Sequence, residues 1–242
     1  MLATMSSEWY KLRKSKIMLL VLTAPLIVLM IGMSVTYDLG GANQWQSKLV
    51  TINVNYGSLF LPLITAVFAG IICRYEHQAG GWKQLLALPV TRGRVFLVKY
   101  LLLILIVLLL QLLYLGAVYL VGMIDGITDP FPSEIVWKAV LGGWVAAFPL
   151  LALQLWMSLL FKSFAAPFAV NVIFTLPTLL IVNSERFGPF YPWAQPFLMM
   201  NIGGEAENVF FIPWGQLFIV VGGSFVLFFI GGYLYFQRKA VS

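Results

Sequence analysis

The sequence predicts an all-α integral membrane protein with six transmembrane helices. Three observations predict it. Hydrophobic residues make up 61% of the 242-residue chain and charged residues only 10%, whereas a soluble domain is about a quarter charged. Several apolar runs are long enough to cross a bilayer, which takes about 20 residues. Those runs are continuous, as in LLLILIVLLLQLLYLGAVYL, unlike the short alternating strands of a membrane barrel. No soluble stretch is long enough to fold alone, so residues 1–242 read as one membrane domain.

Residues 1–16 come first. Leu2, Met5, Trp9 and Leu12 fall on one helical face, with Glu8, Lys11 and Lys14 elsewhere. This predicts an amphipathic helix in the inner headgroup layer, with Trp9 at the interface; the alternative is a disordered basic tail. No small-residue cleavage site follows, so the next run is an uncleaved span and not a signal peptide. Spans are expected near 17–36, 55–73, 97–122, 138–161, 164–183 and 215–236. Pro25, Pro62, Pro149, Pro167 and Pro177 lie inside them and imply kinks, which a helical bundle tolerates. Residues 184–214 are long, aromatic and interrupted by Pro189, Pro192, Pro196 and Pro213. They predict broken helices dipping back into the outer leaflet, against a flat interfacial loop.

Charge orients the bundle. Lys11, Arg13, Lys14, Lys16, Arg74, Lys83, Arg92, Arg94, Lys99, Lys162, Arg238 and Lys239 fall on one side, leaving only Lys48, Lys138 and Arg186 of the 15 basic residues on the other. The positive-inside rule puts both termini in the cytoplasm. The net charge of +6 is therefore a topology signal and not a sign of nucleic-acid binding. Outer acidic residues could draw a cationic peptide or merely keep the loops solvated.

Catalytic constellations are missing. Cys73 and His77 are the single cysteine and the single histidine, which rules out an internal disulfide, cysteine clusters and metal sites built on paired histidines. A Ser–His pair would have to join His77 at the cytoplasmic edge to Ser224 inside span six, beyond hydrogen-bond reach. GGWKQ has glycines and a lysine but not the GxxxxGK[ST] spacing that cradles a triphosphate. No carboxylate lies in the middle of a predicted span, as ion-coupled transport would demand. Neutral polar residues remain: Asn55, Gln111, Gln154, Ser158, Asn171 and Thr175 are candidates for lining a path, with helix–helix hydrogen bonding as the alternative. A transporter of this kind needs energy from another chain.

The link 74–96 between spans two and three is the long basic one. Glu76 suits a helix start, Trp82, Leu85, Leu86 and Leu88 give an apolar surface, and Pro89 stops the helix. Thr91 is a plausible N-cap for the next helix, with Arg92, Arg94 and Lys99 at the headgroups. A short helix over 76–88, joined rigidly to two spans, would act as a lever.

These segments resemble a known family. EWYKLRKSK, from Glu8 to Lys16, and YEHQAGGWKQLLALPVTR, from Tyr75 to Arg92, are similar to type-2 ATP-binding-cassette (ABC) exporter permeases, in the small branch of bacitracin and lantibiotic immunity transporters. The resemblance implies a coupling helix carried by Glu76, Gly80, Gly81, Trp82, Lys83, Leu85, Leu86, Leu88, Pro89 and Arg92. It implies a cytoplasmic ABC ATPase dimer that binds ATP and Mg, with no cofactor on this chain itself. It also implies a second permease chain, identical or related, in a bacterial cell membrane. The expected function is ATP-driven export of an amphipathic or antimicrobial-peptide-like substrate, with no enzymatic chemistry on this chain. The competing expectation is a non-transporting membrane sensor or scaffold docking a cytoplasmic partner.

Overall fold

The computed structural model describes residues 2–15, 17–34, 43–78, 81–87, 89–203 and 214–239. Their regular elements are all helical, with no strand among the described residues. Helix α1 is Leu2–Lys14; α2, Ile17–Val21, and α3, Thr23–Ser34, form one apolar length. Ser15 makes the corner between α1 and α2. Its hydroxyl donates to the Leu12 carbonyl at 2.7 Å and accepts from the Ile17 amide at 3.3 Å. The break before α3 precedes Pro25, whose missing N–H cannot continue the ladder.

The second membrane-length helix starts earlier than hydropathy predicts. It runs from Gln44 to His77 and not from 55. It consists of α4, Gln44–Asn55, a π-helical turn at Tyr56–Phe60, and α5, Leu61–His77. Asn43 caps α4 by accepting from the Trp45 amide at 2.8 Å. The polar stretch QWQSKLVTINVN looked like a loop. It is helical because protein covers it: Ser47, Lys48, Thr51 and Asn53 are all buried. Lys48 donates to the Gly32 carbonyl at 2.6 Å and pairs with Asp125 at 2.5 Å. The π turn directly precedes Pro62, where a regular ladder would lack a donor.

Helix α6 is Gly81–Ala87, and α7 runs from Arg92 to Ile124. Thr91 caps α7 as expected, accepting from the Arg94 amide at 3.3 Å. Gly126 ends it at φ +67°, the left-handed turn that glycine adopts without a Cβ clash. Helix α8, Ser133–Leu160, is the hub; α5 and α7 pack on it, as do two later helices, Gln195–Met200 and Trp214–Arg238. The predicted span 164–183 is two short helices, α9 at Ala165–Thr175 and α10 at Thr178–Ile181, broken at Pro177. A 3-10 turn at Gly188–Phe190 leads to α11, Gln195–Met200, every residue of which is buried. Residues 204–213 of the predicted outer segment lie outside the described residues. Helix α12, Trp214–Arg238, is the last helix among the described residues.

Five helical lengths among the described residues are long and apolar enough to cross a membrane: Ile17–Ser34, Gln44–His77, Arg92–Ile124, Ser133–Leu160 and Gly215–Arg238. Helix α1, the α5–α6 junction, the start of α7 and the end of α12 meet at one end of the bundle, called the basic end below. Lys48, Asp125, Asp129 and Glu134 mark the opposite end.

Candidate functional site

The basic end is built around four buried or half-buried charges from three elements. Lys11 on α1 donates to Glu8 Oε1 at 2.6 Å and to Glu76 Oε1 at 2.8 Å. Lys99 on α7 donates to Glu8 Oε2 at 2.7 Å and to the Ile72 carbonyl at 3.0 Å. Its contact with Glu76 Oε2 at 3.0 Å is an ion pair without hydrogen-bond alignment. Each carboxylate thus bridges both ammonium groups, and the set is neutral overall. Glu8, Glu76 and Lys99 are 3%, 3% and 1% exposed. Burial works against charge on Lys11, but its bonds to Glu76 and Glu8 outweigh that and hold its pKa above the usual lysine value.

This arrangement corrects three expectations. Glu76 does not open a helix over 76–88; it sits in the last turn of α5, and α6 begins only at Gly81. Lys99 is not a headgroup anchor but the most buried member of the set. Glu8, expected away from the apolar face, is buried on the inward face of α1. Met5 and Leu12 do pack against the core.

Trp82 fixes α6 in place. Its ring lies 5.2 Å from Phe236 of α12 and 5.7 Å from His77 of α5, with Lys99 Nζ 5.8 Å from its centroid, within cation–π range. The Trp82 indole donates to His77 Nδ1 at 3.3 Å. His77 Nε2 must then carry the proton that it gives to the Ser158 carbonyl, 2.7 Å away on α8. His77 is therefore a strut between α6 and α8. It is not half of a Ser–His pair, since Ser224 donates to Val220 within its own helix. Gly81 lets α6 fold back closely: a Cβ there would lie 2.7 Å from the Tyr75 carbonyl oxygen and 2.9 Å from Glu76 Cα.

The other coupling candidates spread around this junction. Leu85 is half-buried against the core, and Lys83 and Pro89 are exposed. Arg92 donates to the Gln237 carbonyl at 3.1 Å and the Lys239 carbonyl at 2.5 Å, a cation on the open C-terminal carbonyls of α12. Gly80 and Leu88 lie outside the described residues, as does the Leu86 side chain.

The polar residues considered for a path divide. Gln111 accepts from the Tyr56 hydroxyl at 3.0 Å and donates to the Val140 carbonyl at 3.3 Å. Gln154 donates to Asn171 Oδ1 at 2.9 Å, which also accepts from the Trp193 indole at 2.8 Å. Asn171 in turn donates to the Pro62 carbonyl at 2.8 Å. These three tie helices together inside one chain. Asn55 donates to Thr51 in its own helix, and the buried Thr175 and Ser158 hydroxyls have no hydrogen-bond partner among the described residues. Sequence reasoning missed Asn53, which accepts from the Tyr114 hydroxyl at 2.5 Å and donates to the Met200 carbonyl and Asn201 Oδ1, both at 3.2 Å. Its polar surroundings in sequence hid it in a presumed loop.

A family model for ABC-2 family transporter proteins matches residues 4–178. The chain belongs to that family. It is a multi-pass membrane protein, and the family suggests a permease subunit, of a kind that generally works with a separate cytoplasmic ABC ATPase. The match takes in α1, the four-charge set and α6, and ends at the start of α10. A comparison with curated proteins found no match.

Proposed function

We propose that this permease subunit drives export of an amphipathic or antimicrobial-peptide-like substrate, in the manner of bacitracin and lantibiotic immunity transporters. Helix α6 is the coupling helix, and an ABC ATPase dimer carrying ATP and Mg docks on it. The observation that carries this reading is the seat of Trp82, which touches α5, α12 and Lys99 and reaches α8 through His77. A push on α6 is delivered to several spans at once. The exposed Lys83 and Gln84 of α6 face the ATPase.

The basic end is cytoplasmic by the positive-inside rule. Helices α9 and α10 make the sixth crossing: Ala165–Ile181 gives about 25 Å of helix at 1.5 Å per residue, and the aromatic segment after it completes the depth. Helix α1 lies in the cytoplasmic headgroup layer with Trp9 outward. A second permease chain, identical or related, completes the path. Exposed apolar residues on α9 and α12, such as Ile173, Ile219 and Leu227, face it or lipid. A cavity of about 400 Å³ at the opposite end supports an amphipathic substrate. Its walls are apolar, including Trp137, Leu141, Met199 and Phe218, with Glu134 and Lys138 paired at 2.7 Å beside them.

The test is reconstitution of the chain with its ATPase in lipid. ATP hydrolysis should rise with an amphipathic cationic peptide, and Trp82→Ala should abolish that response while leaving the complex assembled. A complex that assembles and never responds to any such peptide would instead be the sensor or scaffold. Failure to bind an ATPase would end both readings.

A further inference from the structure

A second cavity, of about 170 Å³, opens at the basic end between α5, α8 and α9, behind the His77 strut. That is about six waters' worth of liquid volume, enough for a phosphate group and its ester arms. Arg74 and Lys162 stand on its walls, both exposed. Neither has a carboxylate within ion-pair distance among the described residues. Ser158, 3% exposed, forms part of the lining, and its hydroxyl has no hydrogen-bond partner there. Ser163 lies beside it, accepting from the Ala165 amide at 3.2 Å at the start of α9. The positive end of that 11-residue helix is thus turned toward the cavity.

Positive charge accumulates here without compensation, in contrast to the neutral four-charge set on the other side of α5. Lys239 adds to it. Its ammonium donates to the Leu159 carbonyl. Burial holds its pKa below the usual lysine value, and the like charge of Lys162 works in the same direction. The mouth of the cavity is aromatic: Phe161 and Phe164 are 36% and 43% exposed, and an edge of the Phe164 ring packs against Gly70, where a Cβ would come within 2.6 Å of it. Cations at the ends of apolar spans, with exposed aromatic rings beside them, match the headgroup layer of a bilayer.

We propose that this cavity binds the phosphate of an anionic phospholipid headgroup, with Arg74 and Lys162 as its charge partners, Ser163 as a hydrogen-bond donor, and the acyl chains passing Phe161 and Phe164. The site depends on the chain lying in a membrane and not on what powers it. Because His77 holds Ser158 and Trp82 together, the headgroup sits one residue away from α6. Lipid composition would therefore bias the coupling helix directly.

The test uses the full chain in mixed micelles of phosphatidylcholine and phosphatidylglycerol, with lipid retention read by native mass spectrometry. The unmodified chain should retain phosphatidylglycerol preferentially. Arg74→Gln with Lys162→Gln should weaken that preference about thirtyfold, as expected for two cations near a lipid phosphate. Lys83→Gln with Arg94→Gln removes the same charge from exposed positions outside the cavity and should leave the preference intact. Equal loss in both double variants, or no preference at all, would overturn the site. Displacement of the lipid by inorganic phosphate would overturn the lipid assignment in favour of free phosphate. In a parallel pull-down with the ATPase, loss of binding by Arg74→Gln with Lys162→Gln at unchanged lipid retention would overturn the lipid site in favour of a protein contact.

Discussion

The basic end and the middle of the bundle solve the same problem with different chemistry. At the basic end, Glu8, Lys11, Glu76 and Lys99 join α1, α5 and α7 through full charges. In the middle, Tyr56 with Gln111, Tyr114 with Asn53, and Gln154 with Asn171 join helices through neutral amides and hydroxyls. A buried ion set tolerates no missing member, because the one left over is an unpaired charge in a low dielectric. A neutral interhelical bond contributes only about 0.6 kcal/mol on average in membranes. The charged end is thus suited to moving as one piece, while the neutral middle can exchange partners as helices slide.

Substitutions can break this contrast. The largest effect is expected at Lys99: Lys99→Met leaves two buried carboxylates with one ammonium and should cost about 3–5 kcal/mol, read as a lower melting temperature in detergent. Replacing Glu8, Lys11, Glu76 and Lys99 together by apolar residues should recover most of that loss. If the quadruple variant is worse than Lys99→Met, the set is not acting as one unit. Next comes Gly81→Ala, which pushes a methyl against the α5 backbone and should cost about 1–3 kcal/mol or detach α6. Accessibility of a reporter cysteine at position 84 would reveal the detachment.

Smaller effects sharpen the other side of the comparison. Gln111→Leu should shift stability by about 1 kcal/mol or less in membrane-mimetic unfolding. A loss as large as that of Lys99→Met would erase the distinction between the two regions. Lys11 supplies the pH arm. Its pKa is raised in the folded chain, so its contribution is full below the ordinary lysine value and disappears as pH rises through the raised one. Alkaline titration should therefore destabilise the native chain more than Lys11→Met, and show no Lys11-dependent change near neutrality.

Much of this architecture is legible in the sequence where residues meet lipid. The apolar lengths of α7, α8 and α12 announce themselves, and Thr91 signals the start of α7 because capping is local chemistry. Hydropathy fails where protein is the solvent. Lys48 and Asn53 made α4 look like a loop, yet their partners Asp125, Gly32, Met200 and Asn201 come from distant parts of the chain. Glu76 misled for a related reason. An acid before a glycine pair looks like a helix start, and only Lys11 and Lys99, far away in sequence, explain why it ends one. The 76–92 segment is legible because its apolar residues and proline sit close together; the cavity beside His77 is not, because Arg74 and Lys162 come from two separate links.

The sequence separations inside the four-charge set also order the protein's assembly. Glu8 and Lys99 are 91 residues apart, and Lys11 and Glu76 are 65 apart. Helix α1 is therefore made before its partners and fixed late. Until α5 and α7 have been made, Glu8 and Lys11 have only each other, and nothing holds α1 against the bundle. Its docking is a built-in report that the first half of the bundle has been threaded, and the platform beneath α6 is complete only after that report has been made.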